Sequence, residues 1–303
     1  MSQTTKGILS GIVPAVCYGV IPLFTLPLYK VGQDVDSVLF YRYAIAVAIL
    51  GVLMRLQHQS FRLRRYQIVP LMVMGCLFSV SSCFLFTSYH YMDGGIASTI
   101  LFVYPVLVAI IMAIFFKERM KPSTTIAILL ATIGIALLCR PGDGARVHPT
   151  GILLVGGSAL TYALYIVGVN RSSLKELPNT KMTFYALLFG VVFYAIRLQG
   201  CTQLIPLPDV PSVCTVVALA IFPTVISLIT MARSIQYIGS TPTAILGALE
   251  PVTALIFGAV VFGEVLTPRI LLGVLLVILA VTAIVVAPVL KKLKSRKKRT
   301  GKK

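Results

Sequence analysis

Apolar stretches of about twenty residues alternate with short polar links along almost the whole chain. A helix rises ~1.5 Å per residue, so roughly 20 apolar residues cross a ~30 Å hydrocarbon core. This pattern predicts ten membrane-spanning helices, at 7–29, 38–56, 68–90, 95–116, 124–140, 150–170, 181–198, 212–232, 241–262 and 269–290. The fold class predicted is an all-α membrane protein. The longest link, 197–211, reads RLQGCTQLIPLPDVP, and its prolines suit an extended connection. The first apolar stretch runs on to about Tyr29 without a small-residue cleavage site, so it reads as a retained helix and not as a signal peptide.

Composition sharpens the picture. Of 303 residues, 57% are hydrophobic and only 12% are charged, where a soluble domain has about 25%. The formal net charge is +18, and the tail 291–303, KKLKSRKKRTGKK, contributes heavily to it without a single acid. Directly after an apolar helix, such a run fits anionic lipid at a cytoplasmic surface, and no nucleic-acid partner is expected. With the N-terminus inside, the cytoplasmic links carry Lys6, Arg55, Arg62, Arg64, Arg65, Lys117, Arg119, Lys121, Arg171, Lys175, Lys181 and Arg233 besides the tail. The outer links carry Lys30, Arg140, Arg146, Arg197 and Arg269. That bias puts both termini in the cytoplasm. The six cysteines form no CxxC pair, and His58, His90 and His148 share no metal-like spacing. We therefore expect no disulfide framework, no metal and no cofactor.

The chain also repeats. YMDGGIASTILFVYPVLVAIIMAIFFKERMKP at 91–122 lies without a gap over YIGSTPTAILGALEPVTALIFGAVVFGEVLTP at 237–268. Tyr91 then matches Tyr237, Pro105 matches Pro251, Glu118 matches Glu264 and Pro122 matches Pro268. The first and sixth helices align as well, with Tyr18 over Tyr162. We predict two five-helix units, 1–145 and 146–290, followed by the basic tail 291–303. Five is odd, so the second unit enters the membrane from the opposite face. Inverted repeats of this kind underlie alternating access in many secondary transporters, with the substrate site near the midplane between the halves.

These residues carry a family likeness. Arg42 in FYRYAIA, the stretch YPVLVAIIMAIFFKE followed by KP, and LEPVTALIFGAVVFGE resemble the EamA-type transporters of the drug/metabolite transporter superfamily. A proline helix closed by a glutamate occurs in both halves, at Pro105/Glu118 and Pro251/Glu264. The resemblance covers the chain as two units. It implies a ten-helix transporter of metabolites in a cell membrane, and a bacterial inner membrane is the expected location. It leaves the solute open among amino acids, cofactors, sugars and other metabolites.

The candidate site residues follow from chemistry inside apolar segments. Glu250 falls near the middle of the predicted helix 241–262. A buried charge of this kind costs roughly 2.5–3.5 kcal/mol on insertion scales, so it should face a wet cavity or a partner. Thr243, Gly247 and Glu250 follow three- and four-residue steps and share one small, partly polar stripe. Glu250 reads as a contact for a substrate amine, as a proton carrier, or as a structural carboxylate that ties helices together. Arg42 either snorkels to the outer surface or faces the cavity and pairs with a substrate carboxylate or a helix end. In SVSSCFLFTSYHY, Ser79, Ser82, Phe86, Tyr89 and His90 can share a broad face that suits a small amphipathic solute, or that serves helix packing. Tyr18 and Tyr162 are read as lining the cavity or anchoring at the interface. Pro105 and Pro251 are read as paired hinges, since proline frees a backbone carbonyl and bends a helix. Glu118 and Glu264, at helix ends, are read as structural or gating residues.

Taken together, these residues predict a secondary transporter for a small-molecule substrate, an amino-acid-like solute moved outward. The alternatives are a proton-coupled importer or exchanger of a cofactor, nucleoside or sugar, and, in another class, a membrane-embedded enzyme or a channel. No GxxxxGK[ST] and no HExxH motif occurs, so neither direct ATP coupling nor zinc hydrolysis is expected. The lipid bilayer is the expected partner, and a homodimer is left open.

Overall fold

The computed structural model describes residues 3–92, 94–117, 122–138, 148–171, 174, 177–250 and scattered positions between 252 and 280. Among the described residues every regular element is a helix. A helix satisfies its own backbone polar groups, which lipid cannot do for it. The elements are α1 (Gln3–Gly19), α2 (Ile21–Lys30), α3 (Val35–Leu56), α4 (Arg65–Ser88), α5 (Gly94–Leu101), α6 (Tyr104–Phe116), α7 (Pro122–Leu138), α8 (Pro149–Arg171) and α9 (Asn179–Arg197). After these come α10 (Val210–Ala220), a π-wound turn (Ile221–Ile226), α11 (Ser227–Ile238) and α12 (Ser240–Leu246).

Six helical spans are long and apolar enough to cross a membrane: Gln3–Lys30, Val35–Leu56, Arg65–Ser88, Pro149–Arg171, Asn179–Arg197 and Val210–Ile238. Tyr104–Phe116 and Thr124–Gly134 are shorter apolar helices. Each lies where the hydrophobic pattern predicts an element. The last long span runs on to Ile238, beyond the predicted end at 232. Pro251, Glu118, Glu264 and the basic tail lie outside the described residues, as does much of the predicted helix 269–290.

Several spans are broken, and the breaks have local causes. The segment 95–116 divides at Phe102 and Val103 into α5 and α6, and Pro105 stands in the first turn of α6. Proline supplies no N–H to the carbonyl four residues back, so Pro105 cannot extend the ladder from Leu101, where α5 ends. The segment 241–262 breaks at the corresponding place. Helix α12 ends at Leu246, and tight bonds carry the chain to Glu250: Gly247 N to Ala244 O at 3.1 Å, Ala248 N to Ile245 O at 3.0 Å and Glu250 N to Gly247 O at 2.9 Å. Glu250 therefore follows a helix break, where the sequence reading had it in the interior of a continuous helix. Between α11 and α12 the chain reverses at a single residue, Gly239, whose φ of 88° favours glycine.

The most extensive helix contacts pair α4 with α8 and α1 with α11. Small residues let these helices approach, as is usual in membranes. A Cβ on Gly7 or Gly11 of α1 would run into Ile238 or Ser234 of α11. Across α4 and α8, Ser81 Oγ donates to Ser158 O at 3.0 Å and Ser158 Oγ returns a bond to Ser81 O at 2.8 Å. Helices α3 and α9 form another long contact, tied at both ends. At one end Arg197 pairs with Asp36 through two bonds of 2.8 and 3.0 Å, and Gln33 Nε2 donates to Pro206 O at 2.9 Å. At the other end Lys181 Nζ donates to Arg62 O at 2.6 Å, and the Tyr185 hydroxyl donates to the carbonyl of Phe61.

Candidate functional site

Two adjoining cavities lie inside the bundle. The first is bounded by α1 (Gly11, Pro14, Ala15, Tyr18), Tyr104 of α6, Tyr162 and Ile166 of α8, Met231 of α11, and Thr243, Ala244, Gly247 and Glu250. The second is bounded by Tyr18, Ile21, Arg42, Leu101, Tyr162 and Glu250 with the α4 residues Phe78, Ser81, Ser82, Leu85 and Phe86. Tyr18, Tyr162 and Glu250 stand on both. Each cavity offers ≈ 20 Å³ to the centre of a water molecule, above the ~10–15 Å³ that one water needs.

Glu250 is 6% exposed. Among the described residues no hydrogen-bond donor reaches its carboxylate, and no ion pair joins it to Arg42. The acid thus meets the cavity walls without a fixed partner, beside a ring of tyrosines. Tyr104 and Tyr162 stack edge to face at 4.9 Å, and Tyr18 and Tyr162 do so at 6.0 Å. The Tyr104 hydroxyl donates to Ala244 O at 3.2 Å, and that of Tyr162 points at Met231 Sδ at 3.4 Å. The Tyr18 hydroxyl is enclosed and lies beside those of Tyr162 and Ser227, but it completes a hydrogen bond with neither.

Arg42 does not snorkel. It is 1% exposed, and its Nε donates to Thr224 Oγ1 at 2.6 Å and its Nη2 to Pro223 O at 3.3 Å. Its guanidinium also stands 5.4 Å from the Phe86 ring centre and 6.0 Å from that of Tyr43, within cation–π range. Unpaired, this charge would cost about 2.5–3.5 kcal/mol or more in the bilayer centre. Two bonds and two rings offset that cost.

The other predicted residues divide. Ser82 and Phe86 line the second cavity, and Thr243 and Gly247 line the first. Thr243 Oγ1 also donates to Gly239 O at 2.8 Å and meets Ser234 Oγ at 2.9 Å. Ser79, Tyr89 and His90 stand apart from both cavities. Ser79 is buried near Tyr43 and Gly190, in the contact between α4 and α9. Tyr89 is buried against Phe86, with ring centres 5.8 Å apart. His90 follows the end of α4, is exposed, and stacks on Tyr29 at 4.8 Å. The reason is angular. The broad face drawn on 79–90 assumes one helix, but α4 stops at Ser88, and the stripe that meets the cavity is Phe78, Ser81, Ser82, Leu85 and Phe86. Pro105 stands beside the α5–α6 break.

Sequence reasoning missed Tyr104, Pro223 and Thr224 as parts of the site. A proline followed by a threonine inside the apolar segment 212–232 is the available signal, since a mid-helix proline disturbs the ladder. Tyr104 was legible as the counterpart of Glu250 in the repeat.

The pattern of the EamA-like transporter family matches residues 5–140 and matches again at 149–286. The chain belongs to the EamA-like transporter family. As an EamA-like protein it is a multi-pass membrane transporter and not an enzyme. It is similar to an uncharacterized transporter of Archaeoglobus fulgidus, with 26% identity over 80% of this chain and 86% of that one. The uncharacterized transporter YyaM of Bacillus subtilis is 24% identical over 85% of this chain and 87% of its own. The threonine/homoserine exporter RhtA of Escherichia coli is 27% identical over 74% of each. A solved crystal structure with 20% identity superposes with a TM-score of 0.76, covering 95% of this EamA-like chain and 99% of its own, which shows a shared fold.

Proposed function

We propose that this EamA-like protein is a secondary transporter that moves a small amino-acid-like solute outward by alternating access. In this reading ten helices form two five-helix halves of opposite orientation, and the joined cavities between them are the solute site. The observation that carries it is the meeting of Arg42 and Glu250 on one cavity without an ion pair between them. A held cation and a carboxylate on the lining of one cavity suit a zwitterion, whose carboxylate and ammonium each find an opposite charge. The name of the Escherichia coli relative, an exporter of threonine and homoserine, supports the solute class and makes L-threonine the first probe.

Residues matched by the repeat also converge. Tyr18 pairs with Tyr162 in the repeat, Tyr104 pairs with Glu250, and all four line the first cavity. The α1–α11 contact has the α8–α4 contact as its counterpart with the halves exchanged. Both relations support a pseudo-two-fold arrangement, in which each half can adopt the other's shape. The ties Gln33–Pro206 and Arg62–Lys181 each join two links that the Lys/Arg bias assigns to one face, which supports the predicted alternation of links; cytoplasmic termini in a bacterial inner membrane complete the reading.

The test is counterflow of labelled L-threonine in proteoliposomes, with Glu250→Gln and Arg42→Ala as probes. We expect saturable exchange that both changes abolish or weaken at least tenfold. Exchange that survives both changes sinks the reading. A second reading is favoured by the unpartnered carboxylate of Glu250: exchange of the solute for a proton carried on that acid, in either direction. Counterflow with a pH gradient that Glu250→Gln makes pH-insensitive distinguishes it.

A further inference from the structure

Arg42 is held at two points by one turn of another span, and the winding of that turn explains how. Pro223 has no N–H, so the Leu219 carbonyl loses its ordinary helical donor. The Thr224 hydroxyl takes that place, donating to Leu219 O at 2.9 Å. A hydroxyl has one donor and two acceptor positions. With its proton committed to Leu219, Thr224 Oγ1 faces Arg42 as an acceptor, and Arg42 Nε donates to it at 2.6 Å. The turn Ile221–Ile226 is π-wound, so the N–H of Ser227 goes to Phe222 O and Thr224 O. The carbonyl of Pro223 thereby loses its ordinary α-helical donor, and Arg42 Nη2 donates to it at 3.3 Å. Thr224 is 0% exposed, so its hydroxyl is out of reach of bulk solvent.

A guanidinium is a rigid plane with five N–H donors. Fixing Nε and Nη2 fixes that plane, and the donors that remain belong to a side chain on the wall of the second cavity. We propose that Thr224 is a positioning residue that orients Arg42 for the carboxylate of the solute, with the π-wound turn at Pro223 supplying the second anchor. This rests on the reading of Arg42 as the carboxylate contact. Thr224 itself lines neither cavity and touches the solute only through Arg42. A lysine at position 42 would carry the same charge without the planar fork that two anchors can orient.

The experiment compares L-threonine with L-threonine amide, which lacks the negative carboxylate, as competitors of labelled L-threonine in counterflow by the full-length protein. The wild type prefers the acid. In Thr224→Val we expect the apparent KM for L-threonine to rise about tenfold, the loss of one hydrogen bond to a charged group, with the maximal rate within about twofold and the preference for the acid erased. Thr224→Ser restores the hydroxyl and keeps the preference. Thr224→Ala removes the same hydroxyl without bulk and is read in the same way should the valine variant lose its maximal rate. Exchange lost, or its preference erased, in Arg42→Ala with the preference retained in both Thr224→Val and Thr224→Ala overturns the positioning role and leaves the Arg42 reading standing. Preference retained in Arg42→Ala, or absent in the wild type, overturns the Arg42 reading and this inference with it.

Discussion

Tyr18 of α1 and Tyr162 of α8 meet edge to face, ring centres 6.0 Å apart, although 143 positions of chain lie between them in a repeat that aligns one with the other. Tyr104 and Glu250 are a second aligned pair on the same cavity. The scaffold is thus used twice while the chemistry is used once, since a phenol occupies one of the two aligned positions and a carboxylate the other.

Gly247 should tolerate no side chain. A Cβ there would overlap the Tyr104 hydroxyl. Overpacking of this kind costs about 1–3 kcal/mol, so Gly247→Ala lowers the melting temperature in detergent. Adding Tyr104→Phe recovers part of the loss, because the overlapped atom is the hydroxyl. A double variant as unstable as the single one would show that the clash lies elsewhere.

Ser81 and Ser158 bond reciprocally across α4 and α8. Side-chain bonds between membrane helices average about 0.6 kcal/mol. Ser81→Ala and Ser158→Ala should each destabilise by roughly that amount, and the double variant by about the sum, because each hydroxyl donates to a backbone carbonyl that the other substitution leaves in place. Unfolding midpoints of the four proteins check this; a double variant no less stable than the singles would contradict it.

Asp209 caps α10 from the link outside the membrane, accepting from Ser212 N at 2.8 Å. The Ser212 hydroxyl and then its backbone N–H hold the carboxyl below its ordinary value. A lowered folded-state pKa gives stabilisation that is complete above the unfolded value, about 3.9, and is lost as pH falls through the folded one. Amide exchange at the start of α10 should quicken on acidification in the wild type and be indifferent to pH in Asp209→Asn once intrinsic rates are divided out.

Single cysteines introduced in a cysteine-free background at Ser2, in the link 57–64 and at Ser295 should react with an impermeant thiol reagent from the same membrane face. Cysteines at 32 and 203 should react from the opposite face. Chain ends that label from opposite faces would remove the inverted repeat.

Much of the fold was legible because lipid imposes one rule, about twenty apolar residues per crossing, and nine of the ten predicted segments carry described helices at their predicted places. The breaks were harder. Pro105 announced one, but the split at Gly247 and Ala248 precedes Pro251, and neither residue is a breaker in an apolar helix by type alone. Within the site, Glu250 and Arg42 stood out because charge is costly in hydrocarbon. Thr224 did not, because a threonine in a membrane helix ordinarily bonds its own backbone, and only the π-wound turn turns its oxygen toward Arg42. His90 was misassigned to the inward face because α4 ends two residues before it.

The π-wound turn also isolates a change. A turn of this kind accommodates an additional residue within an otherwise α-helical span. Deleting one residue between Ile221 and Ile226 would let ordinary winding resume with α11 close to its present azimuth, because the wide turn absorbs the surplus residue. Met231 would keep its place on the cavity wall and Ser234 its contact with Thr243, while Arg42 would lose the carbonyl that the wide turn presents to it. The surplus residue thus spares the helix beyond it and alters only the turn that grips the cation.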